Sequence, residues 1–251
     1  MNYKIITVDE SNIDEYGLGC LKNPEHDGYL PKLEWAMSQF KNGLIMKQLR
    51  NEKNKVAGFL EYIDGEHCWR SVDAKGYLFI HCLWILNSKI SGKGFGTMMI
   101  KDCIEDAKKK SKLGVALLTS DGPWMVGKKI FEKNGFTVVD TKDRYELLVL
   151  QLKKGKLPKF IEWEKEQEKL KGLNLVYADQ CPMIAKSVPE LETVAKFNDV
   201  NLQVKKIENS EEAKTSPSGY GVYGMLQNGE LIADHYISKT RFKNILKERG
   251  L

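Results

Sequence analysis

The chain lacks any apolar stretch long enough to span a bilayer. Its longest is YLFIHCLWIL (77–86), ten residues with a histidine inside, against about 20 for a membrane helix. That run reads as a buried strand, and no membrane partner is expected. The opening MNYKIITVDE lacks the basic-then-apolar layout of a signal peptide. Cysteine is scarce: Cys20, Cys68, Cys82, Cys103 and Cys181 make an odd number without close pairs. That does not suit a disulfide framework, and a cytoplasmic location is expected. Charge of one sign is also missing. The net charge is +5, and an excess of three lysines over glutamates lies within residues 153–172. Nothing forms a basic face for nucleic acid. There is no G-x-x-x-x-G-K-[ST], and no spacing that fits a dinucleotide fingerprint. No internal repeat is visible, and no metal is expected.

At 251 residues the length favours two domains. The expected division is a first domain over 1–152, a charged linker over 153–172 and a second domain over 173–251. The first region reads as β-α-α-β-β-β-α-β-α-β-β. Its strands are expected near 3–9, 43–49, 55–63, 77–86 and 114–120, with a closing hairpin in 136–152. Its helices are expected over 12–42 in two pieces, over 97–110, and over 123–135 with Gly135 as the stop. This is an α/β (α+β) class with a mixed, mostly antiparallel sheet and flanking helices.

The informative segment is Tyr77 to Ile100. A buried strand ends, SGKGFG (91–96) follows, and a helix starts at once. A helix N-terminus has backbone N–H groups without internal partners and a positive dipole end. Glycines let that backbone come close to an anion. Gly92, Gly94 and Gly96 with the helix start can therefore cradle a pyrophosphate, with Lys93 at the rim. A plain glycine turn is the alternative.

Two motifs, ISGKGFG (90–96) and KKIFEKNGF (128–136), lie in this order of elements. Together they resemble the acetyl-CoA-dependent N-acyltransferases of the GNAT superfamily over about residues 1–152. Gly94 and Gly96 match the phosphate-loop pattern, while Ser91 stands in its Arg/Gln position. Lys133, Gly135 and Phe136 match the second motif. There Gly127 replaces an alanine and Phe131 a tyrosine.

The resemblance implies acetyl-CoA as cosubstrate and direct attack of an amine on the thioester. It implies cofactor contacts from Ser91, Gly92, Lys93, Gly94, Phe95, Gly96 and Thr97. The strand 77–86 would splay from its neighbour, so that Leu83, Trp84 and Ile85 hold pantetheine by their backbone. His81 is the candidate base, against the alternative of a core histidine, and alternation sets Cys82 on the opposite face. Glu61 and Tyr62 are further catalytic candidates. Trp124 and Phe131 would pack against the cofactor, since Phe131 has no proton to give. The acceptor would be a small amine or amino-acid-like molecule, and the protein a monomer or homodimer.

The second region reads as β-α-β-β-β-α, with Cys181 and Pro182 at a helix start and Pro217 before a hairpin. This resembles the thioredoxin/glutaredoxin fold, although Ile184 breaks the C-x-x-C pattern. Cys181 could carry a reactive thiol there. The whole arrangement resembles the YoaP-like group of bacterial GNAT proteins. Two alternatives to catalysis stand beside this reading: a thiol-binding or redox-sensing protein working through Cys181, and a CoA-binding scaffold without turnover.

Overall fold

The computed structural model describes residues 2–86, 90 and 92–251. Ser91, with residues 87–89, lies outside them. Thirteen strands, eight α-helices and one 3-10 turn (Gly65–His67) follow in chain order among the described residues. The chain divides into two compact units. One holds residues 1–22, 36–68 and 72–160; the other holds 23–35, 69–71 and 161–251.

The first unit is built on β1 (Tyr3–Val8), β2 (Ile45–Asn51), β3 (Val56–Asp64), β5 (Tyr77–Ile85), β6 (Gly114–Thr119), β7 (Thr137–Lys142) and β8 (Tyr145–Gln151). They form one sheet in the order β1-β2-β3-β5-β6-β8-β7. All neighbours are antiparallel except β5 and β6. The expected mixed, mostly antiparallel class is thus observed. The short β4 (Val72–Asp73) pairs separately with β9 (Lys159–Phe160).

The parallel pair needs a crossover, and α3 (Phe95–Lys109) supplies it. Met99, Ile100, Cys103 and Ala107 recur at helical spacing and are buried against Leu60, Tyr62, Leu78, Ile80, Leu83, Val115 and Leu117. The same helix is pinned by a charged network. Lys47 Nζ lies 2.8 Å from both Asp102 Oδ2 and Asp106 Oδ2, and it donates to Thr7 Oγ1 at 3.0 Å.

The helices α1 (Ile13–Tyr16) and α2 (Tyr29–Phe40) occupy the expected 12–42 stretch in two pieces. The helix expected over 123–135 is only one turn, α4 (Lys129–Glu132). Pro123 has no N–H, Gly127 is a poor helix former, and Trp124 sits at φ 67°, outside helical geometry. Gly135, at φ 89°, ends the turn as expected.

The second unit contains α5 (Glu164–Glu168), β10 (Leu173–Tyr177), α6 (Pro182–Phe197), β11 (Leu202–Lys206), α7 (Ser210–Lys214), β12 (Tyr223–Gln227), β13 (Glu230–Ala233) and α8 (Lys239–Glu248). Its sheet runs β11-β10-β12-β13. β10 and β11 are parallel, and the other pairs are antiparallel. Leu175, Leu191, Met225, Phe242 and Ile245 lie in its buried interior. The short α7 is an element that strand periodicity alone did not indicate. Its N-cap Asn209 accepts from the Glu212 N–H at 3.0 Å.

Candidate active site

β5 is a central strand, which explains why Tyr77, Leu78, Phe79 and Ile80 are buried on both faces. It stays laddered to β3 as far as Ile85, which faces Gly58. Its ladder with β6 runs only from Tyr77↔Gly114 to Ile80↔Leu117. Beyond Ile80 the two strands part. Trp84, next to that parting, is 54% exposed.

A bulge sits where they part. Glu61 faces Cys82 and Tyr62 faces Ile80, so His81 is the extra residue in β5. Simple alternation puts His81 and Cys82 on opposite faces; the bulge overrides it. Cys82 is in register with Glu61, and His81 Nδ1 lies 3.3 Å from Glu61 Oε1. The His81 and Glu61 side chains are 0% and 1% exposed. The strand pairing therefore brings these two candidates together as a buried imidazole–carboxylate pair.

Tyr62 goes elsewhere. Its side chain belongs to the core beneath α3, and its hydroxyl donates to Asp106 Oδ2 at 2.5 Å. Burial, then the neighbouring Cys103, Asp106 and Asp102, push the phenol far above its ordinary range, so it remains a donor. Burial would raise the Asp106 carboxyl. The hydrogen bonds from Lys47 and Tyr62 outweigh it and hold the group below its usual value. Lys47 is likewise penalised by burial, but its two carboxylate partners hold it above the ordinary lysine range.

The glycine loop leads into α3. Gly92 and Gly94 have φ 78° and 85°, a region that side chains with a Cβ avoid. A Cβ built at either would meet nothing within 4 Å among the described residues. Gly94 is the N-cap of α3; among the described residues no side chain caps the helix, and its first turn has no acidic residue. The Lys93 N–H donates to the Ile90 carbonyl at 3.2 Å, closing the turn. Gly96 has a different reason to be glycine: a Cβ there would lie 2.6 Å from Ile130 Cδ1 of α4. Phe95 packs on Tyr3 with centroids 4.5 Å apart. Thr97 Oγ1 accepts from Asn134 Nδ2 at 3.1 Å. The result is a helix terminus with bare, outward backbone, which suits an anion.

Phe131 is buried in the core and meets Phe136 edge-on at 5.7 Å. Trp124 follows β6 with its side chain 51% exposed. One residue that motif reading passed over is Thr119, the last residue of β6. It is 1% exposed, and its Oγ1 has no hydrogen-bond partner among the described residues. No motif marks it, because only the register shows that it lies beyond the parting of β5 and β6. Among the described residues no cluster of His, Cys, Asp and Glu could hold a metal, and no helix is long and apolar enough to cross a membrane.

No family model matches the chain. It is 25% identical over 249 residues to the uncharacterized N-acetyltransferase YoaP of Bacillus subtilis strain 168, covering 96% of this chain and 97% of that protein. Solved structures are more distant. A GNAT-family acetyltransferase from Staphylococcus aureus Mu50 aligns over 61% of this chain and all of its own, with 14% identity and a TM-score of 0.44. A Bacillus subtilis acetyltransferase in complex with CoA covers 60% of this chain and 99% of its own, at 18% identity and a TM-score of 0.41.

Proposed function

We propose that the chain is an acetyl-CoA-dependent N-acetyltransferase of GNAT type, acting on a small amine or amino-acid-like acceptor. One pairing of features carries this reading: β5 leaves β6 after Ile80, and α3 begins at a glycine terminus. The similarity to YoaP over nearly the whole chain supports it.

The residues present fit the cosubstrate. Gly92 and Gly94 leave open space where a Cβ would stand, and the first amides of α3 suit a pyrophosphate. Acetyl-CoA supplies the activated thioester. The chain supplies position and charge. Backbone groups of Leu83, Trp84 and Ile85 hold an extended amide arm as an added strand would be held. Fixed backbone dipoles there stabilise charge that grows on the acyl oxygen. The Glu61–His81 pair takes up the proton that the attacking amine must lose. The His81 side chain is closed from solvent, so the proton reaches it through a bridging water or after the strand edge moves. Phe131 offers no proton to the departing thiolate, which is a tolerable leaving group near neutral pH. The test is thiol release from acetyl-CoA across an amine panel. Acetylated product with at least one amine supports the reading; thiol release by hydrolysis alone contradicts it.

A second reading concerns the C-terminal region, as a thioredoxin-like domain over residues 173–251. The β11-β10-β12-β13 order, with one parallel pair, favours it. So does Cys181 as N-cap of the long α6 with Pro182 at its first position. Rates of Cys181 alkylation against pH test for a reactive thiol. A midpoint near the ordinary thiol value of about 8.5 removes the redox role.

A further inference from the structure

The acetyl-CoA reading uses only the backbone of Trp84; the indole has no part in it. Trp84 closes a strand whose residues Tyr77, Leu78, Phe79 and Ile80 are all buried, yet its own side chain is half-exposed. Among the described residues no aromatic ring or cation stacks on it. A large flat apolar ring is thus presented to solvent beside the point where β5 and β6 part.

The strand register gives this ring a face. Leu60 pairs with Leu83, and both lie in the core beneath α3. Phe59, paired with Trp84, and Glu61, paired with Cys82, therefore point to the opposite face of the sheet. His81 joins that face through its 3.3 Å contact with Glu61. One cross-strand row there is made of Gln48, Phe59 and Trp84, and the next of Met46, Glu61 and Cys82. The two rows lie two residues apart along the strands, or about 7 Å.

The first row is closed at one end and open at the other. Gln48 is fully buried, and its Nε2 donates to the Gly17 carbonyl at 2.7 Å. Arg50 Nη2 donates to the Tyr16 carbonyl at 2.7 Å. These two bonds clamp the turn after α1 onto the sheet. A Cβ on Gly19 would lie 2.9 Å from Gln48 Cγ, so the turn rests directly on the glutamine. Phe59, in the middle of the row, is buried, and Trp84 is the open end. The same face therefore carries the imidazole–carboxylate pair and, one row away, an uncovered indole.

We propose that the Trp84 side chain selects the acceptor, and that the favoured acceptor is a primary amine joined by a short carbon chain to an aromatic ring. The spacing of the rows sets the match: the amine lies toward Glu61 and His81 while the ring stacks on the indole. Aromatic stacking adds to the gain from covering apolar area. An aliphatic amine of equal charge reaches the pair but leaves the indole bare. The inference rests on the acetyl-CoA reading and narrows its acceptor class.

Steady-state acetylation of phenethylamine and butylamine tests it, because the two carry the same charge and differ in the ring. The wild-type kcat/KM for phenethylamine exceeds that for butylamine at least about tenfold. Trp84→Ala reduces this ratio to about one, and the loss falls on phenethylamine, chiefly in KM. Trp84→Phe keeps an aromatic face and keeps most of the preference. A wild-type ratio near one overturns the inference. So does a Trp84→Ala protein that retains the preference, or one that loses activity equally with both amines. Transfer to other amines but to neither of these overturns it too, and leaves the acetyl-CoA reading in place. No transfer to any amine is a different result, which overturns the acetyl-CoA reading and this inference with it.

Discussion

The two glycines at the start of α3 make opposite predictions, which separates a binding cradle from a mere turn. Gly94 has φ 85° with nothing within 4 Å of a built Cβ, whereas Gly96 has ordinary φ and a Cβ position 2.6 Å from Ile130 Cδ1. Gly94→Ala meets no clash, so its cost is conformational, about 1 kcal/mol for an L-residue held left-handed. That corresponds to a Tm loss of about 2–4 °C. Its methyl occupies the approach to the first amides of α3, where charge-assisted hydrogen bonds are worth about 1.5–3 kcal/mol each. Disturbing one such bond weakens CoA binding at least about tenfold. Gly94→Glu adds a like charge and abolishes binding. Gly96→Ala presses on the end of a flexible side chain, at an overpacking cost of about 1–3 kcal/mol. Its CoA affinity changes by less than about threefold, because the amides remain in place. Calorimetric titration with CoA and thermal melts of the three variants give both readouts. A Gly94→Ala protein with the expected small Tm loss and wild-type CoA affinity would refute the cradle.

Three further predictions follow from the core of the same unit. Lys47→Met leaves Asp102 and Asp106 facing each other. Discounted for their partial exposure, the cost is about 2 kcal/mol at neutral pH in denaturant melts. That deficit shrinks as pH falls and Asp106, held below its usual value in the native protein, protonates; a pH-independent deficit contradicts the network. The Asp106 carboxyl is held below its usual range, so its contribution is present above the unfolded-state pKa and is lost as pH falls through the folded one. Asp106→Asn therefore flattens the acid limb of the stability–pH curve, and an unchanged limb argues against the assignment. Glu61→Gln lowers the rate of acetyl transfer at least about tenfold while CoA affinity holds. An unaltered rate leaves the Glu61–His81 pair as a core contact.

Much of the first unit was legible in the sequence because its elements carry strong periodic signals. The β5 run and the α3 face declared themselves, and the glycine spacing marked the terminus between them. What could not be read is long-range. The bulge that turns both His81 and Cys82 toward Glu61 arises from the pairing of β3 with β5, not from any local pattern. Tyr62 neighbours Glu61 in sequence, yet the pleat sends it to Asp106 on the opposite face. Trp124 at positive φ shortened a helix that composition extended to Pro123. Thr119 carries no motif, and its significance lies only in where the ladder of β5 and β6 stops.

The most direct test of the central claim is calorimetric titration of the wild-type chain with CoA. Saturable one-site binding is expected, abolished by Gly94→Glu and retained by Gly96→Ala. No heat of binding at millimolar CoA, or equal binding by the Gly94→Glu protein, would contradict it.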